Sequence, residues 1–168
     1  MMQKRLAEFL AQFGFRTDAG LVDAWTWRAG FGFLTVLLII LTTIWRLVEP
    51  YAYRELTPQS SLIDWRTLAT FVYLLFYSLG VIFIGISLYN LSAKRLRARG
   101  LPTGLAGLVP LGVLFSGAAH WLQPRVSENL SHWYVVGVDA LLVGAVVWTV
   151  LELGFREPRA LTPVEPRV

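Results

Sequence analysis

Polar and apolar positions in this chain fall into long blocks. Four apolar runs dominate, at residues 31–48, 67–93, 104–122 and 133–153. None alternates with the period of a strand. At about 1.5 Å per residue each run, wound as a helix, covers roughly the 30 Å of a bilayer's hydrocarbon core. The predicted fold class is therefore all-α: a polytopic membrane protein of four transmembrane helices, spanning residues 21–153.

The polar residues punctuate these runs. Asp23 is placed to cap the first helix, and Trp25 and Trp27 suit a membrane–water boundary. Glu49 and Pro50 end that helix, and Ser61 followed by Asp64 resembles a capping box before the second. Gly100 and Pro102 stop the second helix. Pro110 predicts a kink in the third, and residues 123–132 form a polar turn. Before the first span, Leu6, Phe9, Leu10 and Phe13 share one face of a helical wheel, so residues 1–20 are expected to form an amphipathic helix lying in the headgroup layer. Glu8 interrupts that stretch and argues against a cleaved signal. Residues 154–168, with three prolines, are expected to form a flexible tail.

Charge orients the spans. The stretch 91–104, LSAKRLRARGLPTG, carries Lys94, Arg95, Arg97 and Arg99 with no acid, and reads as a cytoplasmic connector between spans two and three. With the chain's two ends on that same side, eleven of the fifteen Lys and Arg residues lie there, leaving only Arg46, Arg54, Arg66 and Arg125 opposite. Positive charge is retained on the cytoplasmic side, which places both termini in the cytoplasm and the protein in a cytoplasmic (inner) membrane.

Composition supports this class. Of 168 residues, 55% are hydrophobic and 15% charged, a balance too apolar for a soluble domain. The formal charge of +4 sits at span ends and makes no patch suited to nucleic acid. Without cysteine, disulfides, thiolate chemistry and Cys-ligated metals are excluded.

From Tyr89 onward, YNLSAKRLRARGLPTGLAGLVPL resembles the signature of small bacterial inner-membrane proteins grouped as domain of unknown function 805. Lys94, Arg95, Leu96, Gly100 and the Val109-Pro110 pair match, and DAWTWRAGFGF is similar to that family's approach to its first span. The likeness covers residues 23–110. It departs where the family has a His-Asp pair and this chain has Arg97-Ala98. The resemblance implies a membrane topology and a bacterial source, and brings no known reaction.

Asp139 is the residue most suggestive of chemistry. It lies about 9 Å below the outer end of the fourth span, where a charged carboxylate costs about 2.5 to 3.5 kcal/mol. His120 lies at a similar depth on the third span and Arg125 in the turn beyond it. A His120/Asp139 pair is expected, either as a packing hydrogen bond or as a site for a proton, an ion or a polar ligand. His132 and Glu128 complete an outer cluster too sparse for haem or metal ligation. Ser116, one turn before His120, is read as a packing residue with Gly112. Lys94, Arg95, Arg97 and Arg99 are read as a topology determinant or an anionic-lipid contact.

No catalytic motif, cofactor signature or metal-ligand spacing stands out, so a non-enzymatic role is expected. The preferred reading is an accessory subunit packing against lipids and other integral-membrane subunits of a larger complex, respiratory or photosynthetic. The alternative is a small homo-oligomeric transporter or ion-conducting protein using Asp139 and His120.

Overall fold

A computed structural model describes residues 20–52, 64–126 and 131–156. About nine-tenths of these residues are helical and none lies in a strand. The protein is an all-α, four-span membrane architecture: four helical segments are long and apolar enough to cross a bilayer. The amphipathic stretch expected at residues 1–20 lies outside the described residues except for Gly20, as do Ser61 and residues 157–168.

Helix α1 (Ala24–Val48) begins where Asp23 accepts a hydrogen bond from the Thr26 amide at 3.2 Å, and it runs into a 3₁₀ turn at Glu49–Ala52. Helix α2 (Trp65–Ala98) starts with Asp64 accepting from the Arg66 amide. At 34 residues it is about 51 Å long, well beyond the hydrocarbon thickness. Its last turns carry the basic stretch, so residues 91–98 are helix where a connector was expected. Gly100, with φ of +66°, ends it: its amide donates to the Arg97 carbonyl and the Leu101 amide to that of Leu96, both at 3.0 Å. This paired closure needs a left-handed residue.

A 3₁₀ turn at Thr103–Gly107 leads into α3 (Leu108–Leu122). Pro110 falls in the first turn of α3, where a backbone N–H has no α-helical acceptor. Close to the kink expected at Pro110, the helix changes type, from 3₁₀ to α between Gly107 and Leu108. Helix α4 (His132–Thr149), capped by Ser131, continues as a π-helical turn through Val150–Phe155. Gly154 and Phe155, assigned to the tail on sequence grounds, therefore belong to this helix.

The spans form two antiparallel hairpins. In the first, Tyr73 donates to the Leu41 carbonyl at 2.7 Å and Trp45 stacks on Tyr77. Gly80 receives the Leu41 side chain, and in the second hairpin Gly112 receives Leu142. Along the membrane α2 and α3 touch little. Only 6 to 17% of each span's most apolar stretch is buried within the chain. The hairpins join instead at the basic end, where Val22, Trp27, Leu91, Leu96, Ala106 and Leu153 form the hydrophobic core. Trp27, expected at the membrane boundary, is almost fully buried: its indole N–H donates to Ser92 at 3.2 Å and Phe31 stacks on it.

Candidate functional site

Two polar clusters stand out, one at each end of the spans. The first lies between α3 and α4. Residues 116 and 120 are one helical turn apart and project from the same face of α3, and both reach Asp139. The Ser116 hydroxyl donates to Asp139 Oδ1 at 2.6 Å, and His120 Nε2 lies 2.9 Å from Oδ2. An ionised carboxylate accepts from both, which puts a proton on Nε2 and directs Nδ1 away from the carboxylate, toward something else.

The expected His120/Asp139 contact is thus formed, and Ser116 is its third member. The carboxylate sits between serine and histidine. That order differs from a nucleophilic triad, in which the imidazole stands between the other two and takes the hydroxyl proton. Arg125 takes another route: its guanidinium lies 4.0 Å from the Trp121 ring centroid and donates to the Trp121 carbonyl. His132 starts α4, and Glu128 lies outside the described residues. No group of three metal-binding side chains converges among the described residues. The Ser116 end of the cluster is buried, yet the His120 and Asp139 side chains are 59% and 40% exposed on the flank of the hairpin. Val136 and Val143, three residues before and four after Asp139, are exposed beside it.

The second cluster, at the basic end, was not foreseen as a unit. Arg95 is 1% exposed and spends its donors on backbone carbonyls: Nε to Leu153 at 3.0 Å, one terminal nitrogen to Arg156 at 2.8 Å, the other to Val22 at 3.5 Å. The reason is local. A helix end leaves its final carbonyls without intrahelical donors, and here the π turn at 150–155 presents them to the flank of α2. The guanidinium caps that end and places positive charge against its negative dipole.

One turn on, Arg99 pairs with Glu152 Oε1 at 2.8 Å and also donates to the Glu152 carbonyl. Arg156 holds the other carboxylate oxygen at 2.7 Å. Lys94 is buried with Arg95 and Arg99, and Arg97 is half-buried, so three of the four basic residues of this stretch pack inside the fold. Glu152, Ser92 and Trp27 carried no site assignment from sequence. Glu152 offered a usable signal, as an acid at the basic end of a span opposite a helix rich in arginine.

Outside the spans, the Asp23 carboxyl is held below the usual carboxylate range, chiefly by hydrogen bonding from the Thr26 side chain, which with help from the Thr26 amide outweighs the opposing effect of desolvation.

Comparisons with protein-family models, curated proteins and solved structures gave no match to this chain.

Proposed function

We propose that this protein is a non-enzymatic accessory subunit of a larger integral-membrane assembly in a bacterial cytoplasmic membrane, with both termini cytoplasmic. The observation that supports it best is the half-exposed His120/Asp139 pair on the flank of the α3/α4 hairpin. Polar side chains at membrane depth are costly against lipid and are normally turned toward protein or water. A partner helix covering this flank, with a polar group facing His120 Nδ1, satisfies the pair. The sparse burial of the spans fits the same role, since such a chain offers packing area along most of its length.

The test is site-directed photocrosslinking in the native membrane. A benzophenone side chain at Val136 or Val143 should capture one defined larger subunit, and Asp139→Asn with His120→Ala should abolish that product. Crosslinks to lipid alone, or to a second copy alone, would sink this reading. A second copy would favour the alternative, a homo-oligomeric proton- or ion-conducting protein using the same pair. Liposome flux lost in Asp139→Asn would then establish it.

A further inference from the structure

The basic end holds an open cavity of about 470 Å³ between the segment leading into α1, the end of α2 and the π turn. Leu21, Val22, Asp23, Arg95, Phe155 and Arg156 contribute to its wall, which is largely apolar. Two further features single it out.

The first is charge. Arg95 is buried at this wall, and its hydrogen bonds among the described residues go to neutral carbonyls. Arg28 stands beside it, its guanidinium 5.6 Å from the Phe155 ring and 5.7 Å from that of Trp25. Among the described residues no carboxylate forms an ion pair with Arg28 or Arg95. Glu152 is already shared between Arg99 and Arg156. Asp23 is engaged with the first turn of α1. Among the described residues four guanidiniums therefore face two carboxylates, with Asp23 acting on Arg95 through space and not as an ion pair, and a buried cation short of anions is costly. The second is position. Leu21, Trp25 and Phe155 are strongly exposed around the opening, and an exposed tryptophan beside arginines marks the headgroup level of a membrane protein.

We infer that this cavity seats one anionic phospholipid. Its phosphate lies toward Arg28 and Arg156, in the field of the buried Arg95, and its glycerol and first acyl carbons lie against Leu21, Val22 and Phe155. An inorganic anion would use the charges and leave the apolar wall uncovered. A zwitterionic lipid would cover the wall but bring a cation of its own to the arginines. An anionic lipid meets both, and each arginine near a membrane surface attracts such lipids. The bound lipid would seal the junction between the two hairpins.

The test uses the full chain, delipidated in a mild detergent, with thermal unfolding followed by tryptophan fluorescence and bound lipid counted by native mass spectrometry. Dioctanoyl phosphatidylglycerol should bind as a single molecule and raise the Tm saturably. Dioctanoyl phosphatidylcholine and inorganic phosphate should leave Tm unchanged at tenfold higher concentration. Arg28→Gln with Arg156→Gln, both on exposed side chains, should raise the half-saturating phosphatidylglycerol concentration about tenfold or more. Equal effects of the two lipids, an equal effect of inorganic phosphate, or wild-type titration of the double variant would each overturn the inference.

Discussion

Arg95 donates from Nε to the carbonyl oxygen of Leu153 at 3.0 Å, across 58 positions of chain. The two hairpins touch little along the membrane, so this bond and its neighbours do much to fix one hairpin to the other. Replacing Arg95 with Met keeps the apolar stem and leaves the Leu153 and Arg156 carbonyls without their donor. An unsatisfied buried group such as the Leu153 carbonyl costs about 1 to 3 kcal/mol and the part-exposed Arg156 carbonyl less, so Arg95→Met should lower unfolding free energy by about 2 to 4 kcal/mol in detergent. Arg95→Lys should recover only part, because one ammonium cannot match the spread of the guanidinium fork. Denaturant titration followed by circular dichroism reads both; a lysine variant as stable as wild type would show that charge, not geometry, holds the junction.

Arg99 and Glu152 form a pair of a different kind, charge on charge and buried. Removing one partner strands the other, at about 3 to 5 kcal/mol. Arg99→Met and Glu152→Leu should each destabilise by about that amount, and the double variant by clearly less than their sum. A double-mutant cycle measures the coupling. Additive effects would mean that Arg99 acts mainly through its bond to the Glu152 carbonyl and that the carboxylate matters little.

Much of this architecture was legible in the sequence, and the illegible part has a common cause. The spans follow from uncharged stretches as long as a bilayer is thick. Asp23, Asp64 and Gly100 announce helix ends through local chemistry that needs no tertiary information. His120 and Asp139 could be matched because both lie at a calculable depth from the same turn. Arg95 could not, since its partners are backbone carbonyls, which every residue carries and no side chain advertises. They become available because α4 ends in a π turn, and nothing in VLELGF distinguishes that turn from an ordinary helix. Basic residues at a span end then read as a surface feature when two of them are the fastening of the fold. The burial of Trp27 went unread for a related reason: an indole suits both an exposed interface and a core, and only the Ser92 hydroxyl, 65 positions away, decides between them.

Two glycines on α4 and its π turn separate close approach from open space. A Cβ added at Gly154 would lie 3.3 Å from the Trp27 ring, a rigid neighbour held by its bond to Ser92, whereas one at Gly144 meets nothing within 4 Å. Gly154→Ala should therefore cost about 1 to 3 kcal/mol through displacement of the indole, with a shift in tryptophan emission. Gly144→Ala should be neutral or stabilising by up to about 1 kcal/mol, through helix propensity. Comparable Tm losses in both would show that the face bearing Gly144 is also occupied.

The Asp23 cap gives the basic end a pH dependence with a defined sign. Hydrogen bonds from Thr26 stabilise the ionised carboxylate and lower its pKa in the folded protein from the ordinary 3.8. A group whose folded pKa is depressed adds stability above the unfolded value and loses it as pH falls through the folded one. The contribution is thus complete near neutrality, declines once pH drops below about 3.8, and is gone below the folded pKa. Asn at this position caps a helix nearly as well without titrating. Wild type and Asp23→Asn should therefore differ little in Tm at the most acidic end, with wild type gaining as pH rises through this window and then holding level. A Tm difference independent of pH between 2.5 and 6, read in the same detergent, would mean that the carboxylate's charge plays no part in holding the start of α1.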